Sequence, residues 1–153
     1  MTTPAVRPRI TVAAVLERDG RFLLVKERDE GGAVVYNQPA GHLELGETLP
    51  DAVKREVLEE TGWRFAPEYL VGVYQWRKPG ADIAYLRFCF GGRLLEQAHI
   101  TPPEPEIIAA EWHGPEAIAS GALPLRSPLV ACCVRDWQTG ARHPLSLLHA
   151  VAV

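Results

Sequence analysis

Between Gly41 and Trp63 the chain reads GHLELGETLPDAVKREVLEETGW, and no other stretch limits its fold and chemistry so tightly. Thr48, with Asp51 three residues on, reads as a capping box that opens a helix, and Pro50 is tolerated in the first turn. Gly62 stands where a left-handed cap closes that helix. Leu49, Val53 and Val57 recur every four residues and predict an apolar stripe that seats the helix on the core, opposite the acids. At about 100° per residue, Glu59 and Glu60 flank Glu56 one turn on, so three carboxylates share one patch beside Arg55. Such a patch is unfavourable alone. Glu56 and Glu60 are a like-charge i,i+4 pair, and Glu59 and Glu60 sit in the last turn, where the macrodipole disfavours anions. The arrangement calls for a compensating cation, and a hard divalent metal that takes oxygen ligands matches these donors.

The same run matches a longer pattern without a gap: Gly41, five residues, Glu47, seven residues, Arg55-Glu56, the aliphatic Val57, one residue, Glu59-Glu60, one residue, Gly62 and the hydrophobic Trp63. In this the chain resembles the Nudix hydrolases. The resemblance implies a fold of class α/β: an α/β/α sandwich whose mixed sheet lies between helices, with the signature forming a loop–helix–loop and a further helix near the C-terminus. It implies that Glu56, Glu59 and Glu60, with the backbone carbonyl of Gly41, ligate the metal, and that Arg55 orients the neighbouring acids. The metal expected is Mg²⁺, with Mn²⁺ as the other candidate. The general base stays open, with Glu56 first, Glu47 second, and Glu104 or Glu106 from the Pro-rich stretch after them; clustering raises a carboxylate's pKa whereas a bound cation lowers it.

Outside the signature the residues speak less directly. Gln38, just ahead of it, is a candidate substrate contact. Tyr74 and Trp76, like Tyr36 and Tyr85, either stack on a heterocycle or fill strand positions of the core. Residues 37–44, 125–130, 138–140 and 142–145 resemble a bacterial phosphatase subgroup of the family. That subgroup is associated with release of phosphate from nucleoside di- and triphosphates and from the pyrimidine diphosphate intermediate of thiamine synthesis. Arg126 and Ser127 then line the substrate pocket, or else serve as a surface arginine and a helix cap. Two other functions fit the same signature: a pyrophosphohydrolase for ADP-ribose or an oxidised nucleotide, of which Pro79 is a weak mark unless it is a hairpin proline, and a nucleotide sensor without turnover. The intact acids weigh against the sensor.

Composition narrows the field further. With 153 residues, 47% of them hydrophobic, the chain suits one domain spanning 1–153, its core over about 9–148. The net charge of −3 and the absence of a basic stripe argue against a nucleic-acid polymer as partner and leave a small diphosphate compound as the expected substrate. The N-terminus carries no apolar signal segment, so the cytoplasm is the expected compartment, with no membrane partner and with monomer and homodimer both open. Cys89, Cys132 and Cys133 form no metal-binding spacing and read as structural thiols. Ile10–Leu16 and Arg21–Lys26 are apolar runs joined through Asp19-Gly20, a hairpin signal. Further strands are expected at Val34–Gln38, Tyr69–Trp76, Ile83–Phe90 and Ile107–Trp112, and a second amphipathic helix from Ser127 to about Thr139.

Overall fold

The computed structural model describes residues 1–153. The apolar run after Arg9 becomes β1 (Arg9–Ala14), and its successive side chains go to opposite faces of one sheet. Val12 and Ala14 enter one buried cluster, whereas Ala13 and Val15 enter another. A strand covered on both faces needs apolar residues at every position, which is why this stretch does not alternate with polar residues. The chain then turns through β2 (Glu17–Arg18) into β3 (Arg21–Arg28). Asp19 and Gly20 adopt the two positive φ angles, 51° and 77°, that such a tight turn requires. The expected hairpin is therefore real but short. Its arms are β2 and β3, while β1 belongs to the other sheet, because its doubly buried strand demands an inner position.

Two sheets result. The first orders β5 (Ala40–His42), β1, β7 (Ala84–Gln97), β6 (Trp63–Arg77) and β9 (His143–Pro144). β1 and β7 run parallel and the other pairs antiparallel, so the sheet is mixed as expected. In the second, β3 pairs with β2, with β4 (Val34–Asn37) and with β8 (Ile107–His113). β6 and β7 extend well beyond the apolar runs that announced them and continue as a ribbon with exposed alternate residues.

Helix α1 (Leu49–Thr61) covers one face of the first sheet. Thr48 caps it, its Oγ1 accepting from the Asp51 N–H at 3.2 Å, and Gly62 ends it at φ 76°. Val53 and Val57 are fully buried against Val12, Ala14 and Phe90, and each contributes roughly 1.5–3 kcal/mol by burial. The opposite face carries α3 (Pro128–Gln138) and the short α2 (Pro115–Ala119), through Val130, Cys133, Val134 and Ile118. Helices on both sides of a mixed sheet make the α/β/α sandwich. A single 3₁₀ turn, Leu145–Leu147, follows β9. No helix is long and apolar enough to cross a membrane.

One expectation needs correction. The acids of α1 do not stand opposite its apolar stripe: Glu56 and Glu60 are each only 5% exposed. At 100° per residue Glu60 lies within about 20° of Val53, so the helix face that enters the core carries a carboxylate at its C-terminal end.

Candidate active site

The short strand β5 places Ala40 and Gly41 against the C-terminal half of α1. The Ala40 N–H donates to Glu60 Oε1 at 2.7 Å and anchors that buried carboxylate. A Cβ on Gly41 would collide with the carboxylate carbon and both oxygens of Glu56, so only glycine leaves room for that side chain. The loop before α1 is tied in from the other side by Arg55. Its Nε and one terminal nitrogen grip Glu47 as a two-pronged pair, at 3.0 and 2.7 Å. The same terminal nitrogen also donates to the His42 carbonyl at 3.1 Å. The remaining nitrogen donates to Glu56 Oε1 at 2.7 Å and to Glu59 Oε2 at 3.4 Å. One guanidinium thus holds three carboxylates and one backbone carbonyl in register.

These contacts separate the acids electrically. Hydrogen bonds from Arg55 keep Glu47 below the usual carboxylate range. Burial lifts Glu56 above that range, with Arg55 pulling the other way. Burial lifts Glu60 much further, only partly opposed by the Ala40 N–H. Arg55 itself holds its proton more tightly than a free arginine, chiefly through Glu47. A proton-accepting role therefore suits Glu56 better than Glu47, whose charge is already spent on Arg55.

A cleft of about 760 Å³ opens above this constellation. Gly41, Arg55, Glu56, Glu59 and Glu60 line it on the α1 side, and Glu104 and Glu106 reach it from the loop before β8. Trp76 lines it too, stacked on Tyr85 with ring centroids 5.6 Å apart. Arg126 and Ser127 close the side next to α3. Arg126 bridges to Glu27 at 3.2 Å and Glu30 at 3.0 Å, while Ser127 Oγ accepts from the Leu129 N–H at 3.2 Å and caps α3.

Four sequence candidates stand elsewhere. Gln38 is 1% exposed, donates to the Ala14 carbonyl and accepts from Arg87, so it lies beneath the cleft instead of in it. Tyr74 packs with the α3 cluster and donates its hydroxyl to Asp136 at 2.9 Å, which removes it from any stacking role. Both side chains answer to the sheet's α3-facing layer, where their polar ends find protein partners. Glu47 stands behind Arg55, outside the cleft lining. Pro79 sits in the β6–β7 turn, away from the acids. Arg87 is a lining residue that pattern reading passed over. Its only signal was a charge at an inward position of the strand Tyr85-Leu-Arg-Phe-Cys-Phe90.

The donor chemistry fits a divalent cation. Nine carboxylates face the cleft against six Lys or Arg side chains, a balance that repels phosphate unless a further positive charge enters. Only one oxygen of each of Glu56, Glu59 and Glu60 receives a protein hydrogen bond. Glu56, Glu59 and Glu60 do not converge closely enough in this structure to surround an ion with side chains alone.

With this geometry in place, comparison decides the family. The NUDIX domain description matches residues 6–131. The chain is a Nudix hydrolase. It is 41% identical over 142 residues to phosphatase NudJ of Escherichia coli strain K12, covering 93% of this chain and 91% of that one. It superposes on a NUDIX hydrolase from Nitrosomonas europaea with a TM-score of 0.90 at 42% identity, covering 95% and 98% of the two chains. An ADP-ribose pyrophosphatase from Streptococcus suis shares the fold at a TM-score of 0.65 and 18% identity, covering 90% and 96%. Proteins with different named activities thus share this sandwich, and the fold alone does not choose the substrate.

Proposed function

We propose that this Nudix hydrolase is a Mg²⁺-dependent phosphatase that splits a phosphoanhydride bond in small diphosphate compounds and releases inorganic phosphate. Nucleoside di- and triphosphates and the pyrimidine or thiamine diphosphates are its expected substrates, with Mn²⁺ able to replace Mg²⁺. The observation that carries the reading is the Arg55-ordered set of Glu56, Glu59 and Glu60 facing a cleft with surplus negative charge. The likeness to phosphatase NudJ over nearly the whole chain supports the choice of leaving group.

Glu56, Glu59, Glu60 and the Gly41 carbonyl would hold the cation, which when bound neutralises phosphate oxygens and lowers the pKa of coordinated water. The chain's own side chains supply the rest. Arg55 fixes the rotamers of Glu56 and Glu59, so no orientation has to be found at the moment of reaction. Glu56, held by Arg55 through one carboxylate oxygen, keeps the other oxygen free to take the proton of the attacking water. Arg126 stands at the far side of the cleft and is available to a phosphate oxygen by exchanging its hold on Glu30. Trp76 and Tyr85 offer a stacked aromatic wall for the organic group.

The test is a product analysis. Purified protein with Mg²⁺ is offered nucleoside di- and triphosphates, thiamine-type pyrimidine diphosphates, ADP-ribose and dinucleoside polyphosphates, and products are identified by mass. Inorganic phosphate is the expected product. Cleavage of ADP-ribose into two monophosphates, with no phosphate released from the others, would move the enzyme to another leaving-group class.

A further inference from the structure

On the side of the cleft next to α3, two cations from distant parts of the chain converge on one carboxylate. Glu30, on the loop between β3 and β4, meets Arg126 through Oε1 at 3.0 Å and Lys78 through Oε2 at 3.9 Å. Lys78 stands on the β6–β7 turn and Arg126 on the segment ahead of α3. All three residues line the cleft. A carboxylate that offers one oxygen to each of two cations occupies the position that a phosphate group would take between them.

These residues differ in how firmly they are held. Arg126 is fixed twice over: its backbone N–H donates to the Tyr36 carbonyl at 2.8 Å, and one terminal nitrogen donates to Glu27 Oε1 at 3.2 Å. Glu27 is 7% exposed, and a buried carboxylate keeps its partner because separation would leave it charged and unpaired. The other terminal nitrogen, the one on Glu30, is the part of the guanidinium that can change partners. Glu30 is tethered far less, with its side chain 69% exposed. Nor does its loop depend on it. Asp29 Oδ1 accepts from the Gly31 and Ala33 N–H groups, both at 2.9 Å, and Arg28 donates to the Gly32 carbonyl at 3.2 Å. Exposed ion pairs contribute little to stability, so the Glu30 contacts yield readily to a more highly charged anion.

We propose that Arg126 and Lys78 form a receiving site for a second phosphate group, and that Glu30 holds its place in the free enzyme. This inference rests on the diphosphate-hydrolase reading and deepens it. One phosphate of the substrate lies at the acids of α1 with their cation, and another displaces Glu30, so the site selects compounds with at least two linked phosphates. Glu30 is an intramolecular competitor that tempers affinity and takes no part in the reaction. Removing its charge therefore improves binding, whereas loss of a merely structural tie would loosen the loop and weaken it.

The experiment compares Glu30→Gln with wild type in calorimetric binding of methylenediphosphonate, a diphosphate analogue that resists hydrolysis, with Mg²⁺ present. The kcat/KM for cytidine diphosphate is measured beside it. Glu96→Gln is the control, because it removes the same charge from a side chain of similar exposure, 72%, outside the cleft. Glu30→Gln should tighten binding and raise kcat/KM by about three- to tenfold, and Glu96→Gln should move neither by more than about 1.5-fold. Lys78→Gln should weaken binding about threefold, and in that background the gain from Glu30→Gln should shrink. A Glu30→Gln protein that binds the diphosphonate no better than wild type, or a gain that Lys78→Gln leaves whole, would overturn the site. Turnover without that gain removes the receiving site but keeps the hydrolase. Tighter diphosphonate binding without Mg²⁺-dependent turnover keeps the receiving site and removes the hydrolase reading.

Discussion

Gly41→Ala is the substitution whose outcome the site geometry specifies most narrowly. The added methyl lands on the Glu56 carboxylate, whose carbon and two oxygens are its three nearest atoms. The Gly41 backbone is not in the left-handed region, so alanine is accepted there and even gains about 0.4–1 kcal/mol by restricting the unfolded chain. Glu56 must then swing away. That forfeits its 2.7 Å bond from Arg55, at about 1.5–3 kcal/mol, but relieves the cost of burying its charge. The net stability change should stay within about 2 kcal/mol, roughly 4–8 °C in Tm for a chain of this size. Catalysis should suffer far more. Displacing an oriented carboxylate by about 1 Å costs on the order of 100-fold, or about 2.7 kcal/mol of barrier. Gly46→Ala is the control: its φ of 85° makes alanine strained by about 1–2 kcal/mol, yet no atom lies near the new methyl. Phosphate release at saturating Mg²⁺, read beside thermal melts, should give a crossed pattern: Gly41→Ala slow and nearly as stable, Gly46→Ala active and less stable. A Gly41→Ala enzyme within about threefold of wild-type kcat would refute the argument that this glycine exists to seat Glu56.

Other expectations follow from single contacts. Arg55→Lys keeps the charge but cannot reproduce the two-pronged grip on Glu47 together with the bond to Glu56, so kcat should fall about 10- to 100-fold in steady-state assays. Tyr74→Phe should leave kcat/KM unchanged while lowering stability by about 1 kcal/mol in urea unfolding, because its hydroxyl bonds Asp136 and not substrate. Glu60 binds its proton more tightly when folded than when unfolded, so between its ordinary value of 4.5 and its raised folded value the unfolded state holds fewer protons. Chelator-treated protein should therefore lose Tm as pH rises above 4.5, and Glu60→Gln should flatten that slope; a wild-type slope identical to the variant's would count against a destabilising buried carboxylate.

Much of the fold was legible because α1 announces both its ends chemically, Thr48 at one and Gly62 at the other. The seven fixed residue types of its signature were equally plain. What pattern reading lost was whatever depends on a neighbour distant in sequence. Glu60 shares an azimuth with Val53, but that a carboxylate is buried there follows only from the Ala40 N–H that β5 brings to it. Tyr74 and Trp76 have the same spacing and aromatic character, yet their side chains serve opposite ends: Tyr74 meets Asp136 on α3, and Trp76 stacks on Tyr85 at the cleft. The β1 run looked like one arm of a hairpin because local turn chemistry at Asp19-Gly20 is visible in sequence, whereas the parallel pairing with β7 is not. Arg87 gave a faint signal, a lone charge in an apolar strand, and only the packed sheet reveals how few partners it has.

The acids of α1 are proposed to hold a divalent cation that drives phosphoanhydride hydrolysis. Phosphate release from cytidine diphosphate, followed as Mg²⁺ is titrated into wild-type protein and Glu60→Gln, tests it most directly. Release should rise from nothing with added Mg²⁺ in the wild type and be at least about 100-fold slower in the variant, whose circular dichroism stays unchanged. Turnover that survives chelation, or a Glu60→Gln enzyme that matches wild type at limiting Mg²⁺, would contradict it.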